Sequence, residues 1–362
     1  MNHSKHGKRI GAFALAIFGI IACTYIQVNA TMSPSGPHGS ASAALQRELG
    51  MLNPQMAAVI RMLVGLKGKP IATLSAQAAR LQPSPADAVK ALLVHEGRSA
   101  APRGLASVVD STIPGPAGPL AVRIYTPAGK RPMPGLVYFH GGGWVIAGIN
   151  TYDASARALA ALSHHVVVSV AYRQAPEHKF PAAIEDSYAA TQWVIKNGGS
   201  MGIDAADVSV GGESAGGNLA TVVTMMARDR HGMMPVHQLL VYPITDYAFD
   251  TVSYQQNAMA TPLNRAAMMW FFRQYLRSAA DGSNPYVSPL RGNVNGLPPA
   301  TVLTAEVDPL RSEGVAYANK LRSAGIRVHS RYYAGVTHEF FGMSAAVDSA
   351  KQANAFAAAD LP

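Results

Sequence analysis

Gly212-Glu213-Ser214-Ala215-Gly216 follows the strand-like run Val208-Ser209-Val210 and precedes a stretch of helical character from Ala215 to Arg228. A serine between a strand and a helix sits on a sharp turn that forces its backbone toward unfavourable dihedrals and brings strand and helix close together. Only very small residues fit two positions before and two after it, and Gly212 and Gly216 meet that demand. The turn aims Oγ away from the sheet and starts a helix behind it, whose free N–H groups favour nearby negative charge. Upstream the chain reads His140-Gly141-Gly142-Gly143-Trp144 after the apolar run Gly135-Leu136-Val137-Tyr138-Phe139. Three consecutive glycines are costly in chain entropy, and close approach of the backbone to a ligand offsets that cost. The N–H groups of Gly141 and Gly142, with that of Ala215, are therefore expected to form a three-donor oxyanion hole beside Ser214. The two motifs together imply a serine hydrolase.

Outward from these motifs, eight short β-type runs are legible: Ala106 to Ile113, Leu120 to Tyr125, Gly135 to Phe139, Val166 to Ala171, Val208 to Glu213, Leu239 to Tyr242, Thr301 to Ala305 and Arg327 to Tyr332. The later runs are continuously apolar and alternate with helical stretches. That pattern predicts an α/β fold with an eight-stranded, mostly parallel sheet covered by helices on both faces. Between Asp246 and Pro298 the alternation stops, and Asn264 to Arg277 reads as an amphipathic helix. This insertion (246–298), with the helical text from Ala41 to Arg80, is expected to form a cap over the strand ends.

At 362 residues with 49% apolar and only 14% charged side chains, the chain can bury one large core plus a modest lid. The formal charge of +9 is scattered, and three of its positive charges, Lys5, Lys8 and Arg9, precede residue 31. No Lys/Arg block with interleaved aromatics occurs, which argues against nucleic acid as a partner. A basic stretch to Arg9, an apolar run from Ile10 to Cys23 and Val28-Asn29-Ala30 read as a secretory signal over residues 1–30. Its apolar core is shorter than the roughly twenty residues of a membrane span. A flexible linker (31–44) and one catalytic domain with its cap (45–362) are expected to follow, in an exported, periplasmic or secreted protein. Ile20-Ile21-Ala22-Cys23 also resembles a lipobox, in which Cys23 would carry a lipid anchor and provide the only membrane attachment. Cys23 is the sole cysteine, so the folded part has no disulfide. No Cys/His or H-E-x-x-H cluster and no G-x-G-x-x-G string is present, and neither metal nor cofactor is expected.

Serine needs a base, and the base needs an acid to fix its tautomer. The histidines after Ser214 are His231, His237, His329 and His338. His231 reads as a surface residue, and His237 and His329 lie in or beside strands. His338 lies in Gly335-Val336-Thr337-His338-Glu339-Phe340-Phe341, a loop after the last strand. Glu306 and Asp308 both follow the run Thr301 to Ala305; Pro309 forces a turn that favours Asp308 as the acid, with Glu306 as the alternative.

Together with these motifs, Tyr172-Arg173-Gln174-Ala175-Pro176-Glu177-His178-Lys179-Phe180-Pro181-Ala182-Ala183 and Asp308-Pro309-Leu310-Arg311 resemble the bacterial hormone-sensitive-lipase family of α/β-hydrolase esterases, from about residue 45 to the C-terminus. The resemblance implies an α/β-hydrolase fold, Ser214 as nucleophile, Asp308 as acid, His338 as base, and Gly141, Gly142 and Ala215 as the oxyanion hole. It further implies a small-molecule ester substrate of short to medium acyl chain, an acyl-enzyme, and a homodimer as one available assembly. Arg173 and Glu177 would lie in buried ion pairs. Gln174 in place of Leu, Glu213 in place of Asp and Ser312 in place of an acidic residue depart from the family's pattern without touching the triad. An amidase or lactonase using the same triad, and a binding module of the same fold, are the rival readings; the presence of His338 argues against the latter.

Overall fold

The computed structural model describes residues 37–362. The expected signal peptide and lipobox, with Cys23, lie outside the described residues. Within them an eight-stranded sheet runs in the order β1-β2-β4-β3-β5-β6-β7-β8, built from β1 (Ser107–Gly115), β2 (Gly118–Thr126), β3 (Met133–Phe139), β4 (Val166–Val170), β5 (Ile203–Glu213), β6 (Gln238–Val241), β7 (Ala300–Val307) and β8 (Val328–Thr337). The β1–β2 hairpin is antiparallel, and β2 is antiparallel to β4 as well. All other pairings are parallel. Each expected strand is present.

Both faces of the central strands are buried, which is why their sequences read as unbroken apolar runs. Alternation along β3 sends Val137 and Phe139 into one core and Leu136 and Tyr138 into the other. The first core is closed by α6 (Ala182–Asn197), α7 (Ala215–Asp229) and α10 (Arg311–Ser323), the second by α2 (Pro54–Gly65), α4 (Pro85–His95), α5 (Asp153–Ser163) and α11 (Asp348–Asp360). Because β3 to β8 are parallel, the segments leaving β3, β5, β7 and β8 emerge at one edge of the sheet. The order reverses at β3, whose neighbours are β4 and β5, and the crevice outside such a reversal is where open α/β sheets bind ligands.

The insertion after β6 contains α8 (Val252–Gln256) and α9 (Arg265–Tyr275). Asn264 caps α9 by accepting the N–H of Ala267 at 2.9 Å. The helix ends at Tyr275, two residues before the expected end, because Leu276 is extended with ψ of 146°. The insertion is tied to the N-terminal segment: Trp270 Nε1 donates to Leu74 O at 3.0 Å and Thr261 N to Glu48 Oε1 at 2.8 Å.

The expected linker needs correction, because α1 (Pro37–Met51) begins inside residues 31–44. A proline in a first helical turn costs no hydrogen bond, and Ala41, Ala43 and Ala44 favour the helix that follows it. Between α2 and α4 stands the short α3 (Ala76–Arg80). Among the described residues no helix is long and apolar enough to cross a membrane.

Candidate active site

Ser214 joins β5 to α7 with φ 57° and ψ −116°, a combination that L-residues avoid. Its N–H donates to Val241 O at 2.9 Å, and its carbonyl accepts Asn218 N at 3.0 Å, so the turn is held from both sides. A Cβ on Gly216 would lie 1.9 Å from Phe139 O, and one on Gly212 would lie 2.4 Å from the Gly216 carbonyl carbon. These contacts are with backbone, which cannot swing aside. Gly216→Ala is therefore expected to lower stability by about 3 kcal/mol, read as a depressed thermal midpoint; an unchanged midpoint would show that strand and helix can separate at the elbow.

His338 follows β8 directly and Asp308 follows β7 directly. Asp308 is fully buried; its Oδ1 accepts the N–H of Leu310 at 2.8 Å, across the turn that Pro309 makes, and its Oδ2 lies 2.8 Å from His338 Nδ1. A carboxylate can only accept here, so Nδ1 carries the proton and Nε2 is left as an acceptor. Nε2 lies 2.9 Å from Ser214 Oγ. The structure thus brings Ser214, His338 and Asp308 into one hydrogen-bonded chain. Burial works against a charged imidazole, but the charge and hydrogen bond of Asp308, followed by the charges of Glu339 and Glu213, outweigh it and raise the His338 pKa.

The rival acid is turned elsewhere: Glu306 Oε2 accepts the N–H of Gly335 at 2.7 Å. The other histidines are also remote from Ser214. His231 is exposed at the end of α7, His237 Nε2 meets Thr301 Oγ1 at 2.8 Å, and His329 pairs with Asp360.

The glycine triplet is aimed by two side chains that sequence reading did not single out for this role. Tyr172 Oη donates to His140 O at 2.8 Å, and His140 Nδ1 donates to Gly141 O at 2.7 Å. In a trans peptide the N–H points opposite to the C=O, so pinning these two carbonyls directs the N–H groups of Gly141 and Gly142 the other way. His140 is buried and stacked on Tyr172 with ring centroids 4.4 Å apart. Burial lowers its pKa to about 4, which keeps the ring neutral and Nδ1 a reliable donor near pH 7. Gly142, Gly143 and Trp144 follow with φ of 98°, 57° and 60°. The ring of Phe271, on α9, fills the space where a side chain on Gly143 would begin. Trp144 stacks on Tyr275 at 4.1 Å, fastening the insertion to the loop. Ala215 is the first residue of α7; because the Ser214 carbonyl bonds down the helix to Asn218, the Ala215 N–H faces the opposite way.

A second cluster was also missed. Glu213, fully buried, accepts hydrogen bonds from Tyr138 Oη on one carboxylate oxygen and Tyr242 Oη on the other. Glu339 Oε1 accepts from Tyr152 Oη at 2.6 Å and lies 3.8 Å from His338 Nε2. The only sequence signal was the adjacency of each glutamate to a triad residue.

The Tyr172 to Ala183 segment is structural, with one correction to its expected ion pairs. Arg173 pairs with the fully buried Asp186 at 2.7 Å, whereas Glu177 reaches outward to Arg80 and keeps about half its side chain, 53%, in solvent. Among the described residues no group of His, Cys, Asp and Glu could hold a metal ion.

A nucleophile elbow with its acid and base after later strands of one parallel sheet is the layout of an α/β-hydrolase. The family model described as the alpha/beta hydrolase fold matches residues 136–342, and the chain belongs to that family, among the esterases related to hormone-sensitive lipase. It is 43% identical over 243 residues to the carboxylic ester hydrolase LipN of Mycobacterium tuberculosis; the match spans 65% of each chain, just under two thirds of LipN's length. It is 34% identical over 310 residues to the ethyl acetate hydrolase of Pseudomonas putida, 83% of this chain and 95% of that one. The solved structure of a hyperthermophilic esterase from the archaeon Pyrobaculum calidifontis superposes with a TM-score of 0.77 at 38% identity, covering 86% of this chain and 97% of that one.

Proposed function

We propose that the chain is a serine carboxylesterase acting on small esters of short to medium acyl chain through an acyl-enzyme. The observation that carries this reading is the continuous path from Ser214 Oγ through both nitrogens of His338 to Asp308. Ser214 Oγ attacks the ester carbonyl as its proton passes to Nε2, and Asp308 steadies the imidazolium. The tetrahedral oxyanion is received by the N–H groups of Gly141, Gly142 and Ala215, which are fixed before substrate arrives. The proton on Nε2 then goes to the departing alkoxide, and water repeats the sequence to release the acid. The relatives named for ester hydrolysis support an ester over an amide or a lactone.

The insertion and the N-terminal helices act in this reading as a cap that limits pocket depth. Phe271 is the decisive side chain, because its ring lies against Gly143 at the oxyanion loop. Purified enzyme assayed on p-nitrophenyl esters of increasing acyl length is expected to peak at short chains, and Phe271→Ala is expected to move the peak toward longer ones. An identical profile in the variant would reduce Phe271 to packing, and no turnover on any ester would refute the esterase assignment. Export rests on the basic, apolar and small-residue succession of residues 1–30, with the enzyme either free or held by lipid at Cys23. A homodimer is proposed on family likeness alone.

A further inference from the structure

We propose that Glu339 is a positioning residue whose carboxylate, coupled to that of Glu213, supplies the imidazolium of His338 with a second negative charge on its serine-facing side. This inference rests on the esterase reading and deepens it. Asp308 addresses only Nδ1. The proton taken from Ser214 arrives on Nε2, and the carboxylate beside that atom is Glu339, at 3.8 Å.

The backbone is bent to place it there. Glu339 has φ 69° and ψ 1°, left-handed geometry that a glutamate adopts at a cost unless its surroundings impose it. Tyr152 Oη, from the residue before α5, donates to Oε1 and fixes the side chain there. Behind it stands Glu213, whose two oxygens are occupied by Tyr138 on β3 and Tyr242 just past β6. Tyr242 also packs against the His338 ring with centroids 4.5 Å apart.

Charge balance then gives the pair its role. The groups facing these two carboxyls are His338, Asp308 and the phenols Tyr138, Tyr152, Tyr172 and Tyr242. Among the described residues no Lys or Arg is ion-paired with either glutamate; the one cation that pairs with Glu339 is a protonated His338. Glu213 is fully buried and Glu339 mostly so, with 19% of its side chain exposed; such a carboxylate lacking a countercharge is costly, and that cost falls when the counterion forms. Above the His338 pKa the counterion forms only as Ser214 gives up its proton, so the attraction is stronger in the transition state than in the resting enzyme, which is the condition for acceleration. Burial first, and then the charge of Glu339, push Glu213 up to about 7, while burial also raises Glu339. Near neutral pH the pair therefore shares charge instead of carrying two full charges side by side.

The test is the pH dependence of the full-length enzyme. Removing the Glu339 charge lowers the His338 pKa, so in Glu339→Gln the acid limb of kcat/KM should move down by about half a pH unit and the plateau fall about tenfold. Glu213→Gln should move the limb little, because Glu339 then keeps the charge alone. The double variant should shift it by about one unit, more than the singles sum to, since neither carboxyl can substitute for the other. Tyr152→Phe, which keeps the ring and removes only the hydrogen bond to Glu339, should move the limb in the same direction by less. NMR titration of the His338 imidazole reads the same shifts without catalysis. A His338 titration and acid limb that coincide with wild type in Glu339→Gln and in the double variant would overturn the inference, even if activity fell. A wild-type enzyme inert on esters would instead refute the esterase reading, and the NMR shifts would still report on the pair.

Discussion

Ser214→Ala is expected to cut ester turnover by roughly six orders of magnitude in kcat, and His338→Ala by about as much, because the two act as one unit. Without Oγ there is no acyl-enzyme to form. Without Nε2, which lies 2.9 Å from Oγ in the intact protein, nothing takes the serine proton, and at neutral pH the unassisted hydroxyl is a poor nucleophile. The folded state is expected to survive both changes. Ser214→Ala removes one hydroxyl and leaves the elbow's backbone bonds to Val241 and Asn218 in place. His338→Ala removes a ring that packs on Tyr242 and leaves the Asp308 carboxylate with its bond from Leu310, so a lower thermal midpoint should accompany the lost activity. The double variant should be no worse than either single one. Residual activity above a few per cent of wild type in either variant, measured on a short-chain p-nitrophenyl ester with the fold checked by circular dichroism, would overturn the assignment.

The sheet was legible in the sequence because both its faces are buried. A parallel strand covered on both sides has no solvent-facing positions to break its apolar run, and Val166 to Val170 has none. The elbow was legible for a related reason: the close approach of Phe139 O to Gly216 leaves glycine as the only fitting residue, so the steric demand is written in the chain. The start of α1 was hidden by composition, since Ser, Gly and Pro mark both linkers and first helical turns. Tertiary encounters left no local mark. Glu213 meets Tyr138 from 75 positions earlier in the chain and Tyr242 from 29 positions later, and Glu339 meets Tyr152 from 187 positions away. Nothing in the period of α9 distinguishes Phe271 from its buried neighbours Trp270 and Phe272; only the position of the glycine loop does so.

Asp308→Asn should lower kcat by about four orders of magnitude, and Glu306→Gln by far less. The asymmetry follows from what each carboxyl touches. Asp308 Oδ2 faces Nδ1 and obliges it to carry the proton, which leaves Nε2 bare toward Ser214. Oδ1 is already occupied by the N–H of Leu310, and an amide placed there keeps its oxygen on that donor and turns its NH2 toward the imidazole. An NH2 group donates, so Nδ1 must then accept, and the proton moves to Nε2. In that tautomer the ring presents a hydrogen to the serine instead of a lone pair, and proton abstraction stops although every heavy atom stays in place. The charge that raised the His338 pKa is lost with it, so activity surviving in Asp308→Asn should grow toward higher pH through direct ionisation of the serine. The Glu306 carboxylate accepts the N–H of Gly335, on the approach to the His338 loop, and its amide variant can still accept that bond. Its loss should fall within about tenfold of wild type. A pH series of kcat on one short-chain ester compares the two variants directly, and the reverse ranking would transfer the acid's role to Glu306 and require the β8 loop to rearrange before catalysis.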